Sequence, residues 1–376
     1  MNKKILIGLL MSIIILIGFS VWGIYYLENS NIEDESNKID EPYNESHKDV
    51  EDKSIQKDEE LNVEDGEVFV SVWDTTKKGD SGTNEIKLPL IEGGEYDFIV
   101  ESKHLDEPVH INSYQDPVIE FNKEGVHEIN ITGTIRGWSF GPTTEFYDIH
   151  TNDRGKIIEI KNWGDLELGN SGSYFLNAIN LNISANDSLN LENTNTLFQM
   201  FRMPEDNNFT ISGDINNWNT SNINNMEWMF GRAHNMNSDI SDWDVSNVDN
   251  MGKMFSDARD FNQDLSNWDV SNVKYMDEMF RFSKSFNQNI SNWDVSNVED
   301  MSYMFRSAES FNQDLSRWDV SNVEDMRGMF RLSNMSSSLN CWNVEHISEK
   351  PTHFYSGSPL ENNTENLPNW GEEPNC

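Results

Sequence analysis

The chain has 376 residues, with 65 acidic against 27 basic residues and a formal net charge of −38. A nucleic-acid-binding protein needs a basic surface from which counterions are released, and an anionic membrane surface would repel this chain in the same way. The charge therefore excludes both classes of partner for the protein as a whole. It leaves basic proteins, neutral glycans and divalent cations open.

The first segment is an apolar run. Residues 5–27 read ILIGLLMSIIILIGFSVWGIYYL and follow Lys3 and Lys4. At about 1.5 Å per residue a helix of this length crosses a bilayer core of about 30 Å. The lysines predict a cytoplasmic N-terminus and an extracellular remainder. A cleaved signal peptide is the alternative, although its apolar region usually has only about 7 to 15 residues.

We therefore expect residues 1–27 to be a membrane anchor or a signal segment. In the first case the protein contacts the membrane through this segment and displays its C-terminal region at the cell surface. In the second case it is secreted.

Residues 28–66 form an acidic segment dominated by Glu, Asp, Asn, Lys and Ser, without apolar periodicity. Such a segment cannot bury enough apolar surface to offset the entropy lost on ordering. The composition predicts a disordered linker, extended by repulsion among its own carboxylates, that holds the folded part away from the membrane.

Short runs with alternating polarity fill residues 67–135. These runs are VFVSVW, EIKLPL, EYDFIV and VHEINITG, and Gly, Asp, Asn and Pro clusters separate them. The pattern predicts a small β-sandwich. The stretch GVHEINITG is similar to the G-x-Y-x-V-x-V-x-G strand that ends PKD-like domains, so we expect a PKD-like or Ig-like sandwich.

The second half of the chain is a tandem repeat. Tryptophans recur every 25 residues, and a slightly shorter step leads to Trp342. The hexapeptide WDVSNV occurs four times, and the dipeptide MF closes each unit. The regularly spaced tryptophans are Trp218, Trp243, Trp268, Trp293 and Trp318.

Each unit has two periodicities. Trp268 and Val270 are two residues apart, as on one face of a short strand. The apolar stripe that follows, and the S-x-x-E capping-box pattern at Ser296 and Glu299, predict a short helix. The stripe comprises Val273, Met276, Met279 and Phe280.

A unit of one strand and one helix cannot bury its own stripe, so copies must stack. For residues 218–342 we predict an α/β repeat fold, a right-handed leucine-rich-repeat-like solenoid of short strand plus short helix units, preceded by the small all-β sandwich.

The repeats resemble the BspA-like bacterial surface-protein family, whose unit reads M-F-x-x-A-x-x-F-N-Q-D-I-S-N-W-D-V-S-N-V-x-x-M. The likeness extends from about Trp163 to the C-terminus and is strongest over residues 229–330. It implies a leucine-rich-repeat-like fold, display at the cell surface and a role in adhesion. Residues 136–217 would then form an irregular N-terminal cap with degenerate repeats, and residues 343–376 a C-terminal cap.

The repeats place one aspartate at the same position of four successive units: Asp244, Asp269, Asp294 and Asp319. Stacking would bring these carboxylates to about 5 Å, where each pair repels by about 1 kcal/mol even in water. Solvent and salt can relieve this repulsion, and bound Ca²⁺ is the functional alternative, although no D-x-[DN]-x-[DN]-G loop is present. We take this column as the candidate binding site.

Another recurring column consists of asparagines, and we expect it to form a hydrogen-bonded ladder in a buried corner. Its members are Asn262, Asn287 and Asn312.

The two cysteines, Cys341 and Cys376, are expected to pair, since pairing is usual in an extracellular chain with two cysteines. The resemblance implies the same bridge, because the C-terminal caps of similar repeat proteins carry a Cys beside the last repeat and another after W-G. The bridge would close a loop of about 36 residues and stabilise the fold by roughly 3 to 4 kcal/mol.

We predict no enzymatic activity, cofactor or dedicated metal site, since the sequence lacks the G-x-S-x-G, H-E-x-x-H and P-loop motifs. The leading hypothesis is a cell-surface repeat protein whose rigid acidic face binds an extracellular protein or glycan. The alternatives are a passive spacer of the cell envelope and a Ca²⁺-binding surface module.

Overall fold

A computed structural model describes residues 68–115, 117–141, 152–374 and 376. The apolar run at residues 5–27 and the acidic segment at residues 28–66 lie outside these ranges, so the expectations placed on them stay predictions. Within the described ranges, no helix has both the length and the hydropathy needed to cross a bilayer.

Ten strands form two sheets. The larger sheet has eight strands in the order β10-β9-β7-β1-β6-β3-β4, with β8 added beside β6, and β2 pairs only with β5. The strands are β1 (Phe69–Asp74), β2 (Glu85–Lys87), β3 (Leu90–Glu101), β4 (Val109–Ile111), β5 (Val118–Glu120), β6 (Val126–Trp138), β7 (Ile157–Asn162), β8 (Leu166–Glu167), β9 (Asn182–Ile183) and β10 (Thr210–Ile211).

The large sheet continues beyond the segment in which the sequence predicted a separate sandwich. Strand β1 pairs antiparallel with β6 on one edge and with β7 on the other. Strand β9 then joins β7, and β10 joins β9, in parallel register. The predicted small sandwich is therefore not closed on itself, because the second edge of β1 pairs with β7 and the same sheet continues through β9 and β10. The predicted domain boundaries stay predictions.

The predicted α/β architecture is also wrong. The described residues contain no α-helix, and their helical content is limited to two short 3-10 helices, Pro359–Asn362 and Thr364–Asn366. No strand forms at Trp268 and Val270, and between the regular coils the β-type pairing consists of single-residue parallel bridges. The bridges join Thr196, Asn225, Asn250, Tyr275, Asp300 and Asp325 in succession.

The methionine stripe lies in a run of β-turns, residues 276–283 in one coil and the equivalent residues of the others, which we call the turn ladder. Its backbone amides alternate between two kinds of acceptor. The amides of Met279, Arg281 and Ser283 each donate to the carbonyl three residues earlier. The intervening amides donate to carbonyls of the next coil: Glu278 to Ser302, Phe280 to Met304 and Phe282 to Arg306. An α-helix would direct all of them to the carbonyl four residues earlier, so this alternation excludes it.

Left-handed residues maintain the turn ladder. Glu278 and Phe282 have φ of 52° and 58°, and Tyr303 and Ser307 in the next coil both have φ of 56°. The left-handed conformation is unfavourable for residues other than glycine. The hydrogen bonds between coils must therefore offset its conformational energy. The pattern at Ser296 and Glu299 caps no helix, because the Glu299 amide instead donates to Lys274 in the preceding coil.

A continuous aromatic core runs through all the coils and into the sheet. Successive phenylalanines of the MF dipeptides stack with ring centroids 5.6 to 5.8 Å apart. The column extends from Phe201 to Phe175, which contacts Trp138 at the end of β6. The β-sheet and the repeats therefore share one hydrophobic core. The stacked column comprises Phe201, Phe230, Phe255, Phe280, Phe305 and Phe330.

Each tryptophan also ties its coil to the preceding one. The indole N–H of Trp293 donates to the buried carbonyl of Leu265 at 3.0 Å, and those of Trp243, Trp268, Trp318 and Trp342 do the same one coil apart. The indole nitrogen of Trp218 in the first regular coil is buried but has no partner. The repeated tryptophan is thus both a core residue and a hydrogen-bond donor.

This difference predicts the result of a matched pair of substitutions. Trp293→Phe removes one of the two hydrogen bonds that the Leu265 carbonyl accepts and leaves the one from the Trp268 amide, whereas Trp218→Phe removes ring volume but no hydrogen bond. We expect Trp293→Phe to lower the free energy of unfolding by about 1 kcal/mol more than Trp218→Phe. Urea unfolding followed by circular dichroism measures the difference, and equal losses would contradict the role assigned to the indole N–H.

The β-sheet region contains a histidine pair. The Nδ1 atoms of His104 and His127 lie 2.8 Å apart, so one ring donates and the other accepts. His127 is fully buried and stacks on Phe121. Burial lowers the pKa of both imidazoles, and each ring faces the positive charge of Lys123. The pair cannot keep its hydrogen bond with both rings fully protonated.

A pH dependence of stability follows. Because the folded-state pKa values lie below the unfolded value of about 6.5, the pair's contribution is complete above that pH and is lost as the pH falls towards the folded values. We expect the melting temperature to decrease on acidification below about pH 6.5, and His104→Gln/His127→Leu to reduce this decrease. Thermal unfolding between pH 7.5 and 5 tests this, and an equally steep decrease in the variant would contradict it.

Candidate functional site

The predicted aspartate column is exposed along the stacked coils, one carboxylate per coil. In each coil Oδ1 accepts the backbone N–H of the serine two residues later, at 3.0 to 3.1 Å. The hydrogen bonds that Asp269 accepts from Ser271 lower the pKa of that carboxyl. These carboxylates therefore close Asx turns, which fixes their direction relative to the backbone. The column consists of Asp244, Asp269, Asp294 and Asp319.

A second column lies five residues earlier in each coil and was missed in the sequence analysis. Its side chains also accept the amide of the serine two residues later, at 2.9 to 3.0 Å. Hydrogen bonds from the backbone and side chain of Ser266 lower the pKa of Asp264, and those from Ser316 do so for Asp314. The repeated D-x-S pattern was the signal that could have revealed it. Its members are Asp239, Asp264, Asn289 and Asp314.

The asparagine ladder has the predicted hydrogen bonds but not the predicted burial. Asn262 donates its backbone N–H to Oδ1 of Asn237, Asn287 donates to Asn262, and Asn312 donates to Asn287, at 2.9 to 3.0 Å. However, Asn287 and Asn312 are exposed. The ladder therefore runs along an exposed corner, where it joins the coils.

The carboxylates of the aspartate column do not come together as a cation site. Among the described residues, one set has three ligand atoms within 4.8 Å of one another: Glu205, His234 and Asp257. Arg259 pairs with both carboxylates of this set, at 2.5 and 2.9 Å. Burial alone would raise the pKa of Asp257, but hydrogen bonds from His234 and Arg259 lower it overall. The set is an ion-pair network in which a guanidinium already supplies the positive charge, so we assign no metal to it.

The two cysteines are free thiols in this structure. A hydrogen bond between their side chains raises the pKa of the Cys341 thiol. The predicted disulfide therefore stays a prediction, and the fold brings its two sulfur atoms close enough to interact.

The Asx turns predict different outcomes for two substitutions at Asp269. Asn219 and Asn343 accept amides in the same way at the corresponding positions of other coils, so asparagine can form this turn. We expect Asp269→Asn to leave the free energy of unfolding within about 0.5 kcal/mol, and Asp269→Ala to lower it by about 1 kcal/mol. Urea unfolding measures both, and equal effects would show that the turn does not depend on this acceptor.

One known family matches the repeat half of the chain. The family described as "Mycoplasma protein of unknown function, DUF285" matches residues 195–291 and residues 266–370. These two stretches overlap and include the regular coils. No match to the chain was found among curated proteins or among solved structures. The repeat region is therefore similar to this Mycoplasma family, which carries no assigned ligand.

Proposed function

We propose that this is a cell-surface repeat protein whose acidic columns bind an extracellular protein or glycan without chemical turnover. The observation that carries the proposal is the arrangement of Asp244, Asp269, Asp294 and Asp319, each exposed and each held in an Asx turn. Carboxylates already fixed by the backbone lose little conformational entropy when a partner binds.

The stacking of the coils makes these carboxylates a multivalent surface. One aspartate per coil, repeated at the coil spacing of about 5 Å, offers several weak contacts to one partner. Several weak contacts between the same two molecules raise the overall affinity. Several copies of the protein on one cell raise it further through avidity. With a net charge of −38, the partner should carry basic groups or be bridged by cations, and the attraction should weaken with salt.

The N-terminal segments would supply the display that adhesion requires. The apolar run at residues 5–27 would anchor or export the chain, and the acidic segment at residues 28–66 would separate the folded part from the membrane. Both roles remain part of the proposal, as does the absence of catalysis.

A passive spacer is the second candidate, and one observation favours it. A single hydrophobic core connects the β-sheet with the last coil, so the described part of the chain is a continuous stack. A spacer needs this property and needs no ligand. The calcium-binding alternative has no comparable support in the aspartate column.

The two candidates can be separated by changing charge without changing the turns. Asp→Asn substitution at all four column positions should keep the Asx turns and remove four negative charges. We expect this variant to lose at least about tenfold in affinity for poly-L-lysine at 150 mM salt and to reduce the attachment of cells that display it. Biolayer interferometry and a cell-attachment assay measure the two effects.

The matched control removes four negative charges from the β-sheet region. Glu92, Glu101, Glu107 and Glu124 are all exposed there, and their change to Gln produces the same net charge. We expect this control to bind nearly as well as the native chain. If both variants behaved like the native chain in cell attachment, adhesion through the aspartate column would be wrong and the spacer would be preferred.

A further inference from the structure

The turn ladder carries a row of positive charge on this acidic protein. Arg281, Arg306 and Arg331 occupy the same position in three successive coils. The corresponding residues of the two preceding coils are Gly231 and Ser256, so the repeat does not require arginine there. We call these three side chains the arginine column.

The arginine column forms few ion pairs with carboxylates. Arg281 pairs with Glu278 of its own coil. Within the described part of the chain, Arg306 and Arg331 form no ion pair, unlike Arg136, Arg259 and Arg327. The Nε atoms of Arg281 and Arg306 are buried and have no hydrogen-bond partner, so a ligand would have to use the other guanidinium nitrogens. In a chain of charge −38, two guanidinium groups without an acidic partner remain able to bind an anion.

Aromatic rings hold two of the three guanidinium groups, those of Arg281 and Arg306, in place. The Arg281 guanidinium lies 4.8 Å from the centroid of the Phe282 ring, and that of Arg306 lies 5.6 Å from Phe282 and 5.7 Å from Tyr303. The rings restrict the arginines but do not neutralise them. Burial, followed by the charges of Arg281 and Arg331, lowers the pKa of Arg306, while Tyr303 and Glu278 oppose this effect.

We propose that the arginine column binds the carboxylate side chains of an extended acidic peptide segment of a partner protein. This goes beyond the proposed function, since it uses a different segment of each coil and a ligand of the opposite charge. Arginine recognises carboxylates in bidentate geometry, and three arginines in a row can engage several carboxylates of one segment.

Two features favour a peptide over an acidic glycan. Guanidinium groups already lie over Phe282 and Tyr303, so these rings are not free platforms for a sugar. Leu332, which follows Arg331, is 48% exposed and offers an apolar contact beside the charge.

Binding of fluorescent poly-L-glutamate to the native chain tests the proposal. It is measured by fluorescence anisotropy at 150 mM salt, where the Debye length of about 8 Å limits repulsion from the rest of the protein. We expect saturable binding, and Arg306→Gln/Arg331→Gln to weaken it at least tenfold. Arg317→Gln is the control, because Arg317 is an exposed arginine outside the turn ladder. It should change the affinity less than twofold.

The outcomes are decisive for this site and independent of the poly-L-lysine assay. Absence of binding to the native chain, or equal weakening by the double variant and the Arg317→Gln control, would overturn the proposal. Alginate carries carboxylates on a sugar backbone, and tighter binding of alginate than of poly-L-glutamate would assign the column to an acidic glycan instead. Arg306→Lys/Arg331→Lys keeps the charge, so intermediate binding by this folded variant would support recognition by the guanidinium groups.

Discussion

The repeats depend on one constraint, which is that half of the backbone amides in the turn ladder find their acceptors only in the next coil. Glu278, Phe280 and Phe282 each donate to a carbonyl of the following coil. A single coil would leave these amides unpaired beside a buried methionine and phenylalanine core, at a cost comparable to several lost hydrogen bonds. Stacking satisfies them, and it also supports the left-handed residues that keep the ladder from becoming a helix.

The same stacking determines what the surface can present. A position that recurs in every coil becomes a column on the outside, so aspartates at one position form an acidic row and arginines at another form a basic row. Where the column side chain also bonds the backbone, as Asp269 does with the Ser271 amide, the charge is rigid. One fold can therefore offer two surfaces of opposite charge on different segments of each coil.

Sequence reasoning identified the period and the inward-facing residues, because Trp268 and Met276 recur at fixed intervals. It assigned the wrong local structure, since a stripe at every third residue fits consecutive turns as well as a helix. The φ of 52° at Glu278 could not be predicted either, because glutamate rarely adopts the left-handed conformation. It found the strands around Phe69 but not their continuation into β7, which depends on which edge of β1 is free. The buried ion pair of Lys156 and Asp153 was also missed, because charged residues are normally read as exposed.

The account rests on the direction of the amides in the turn ladder, and hydrogen-bond scalar couplings in a perdeuterated sample report that direction. The structure predicts a coupling between the Phe280 amide nitrogen and the carbonyl carbon of Met304 in the next coil. A helical unit would instead couple the Phe280 amide to the carbonyl of Met276, four residues earlier. Observation of the first coupling would establish stacking through the backbone, and observation of the second would contradict it.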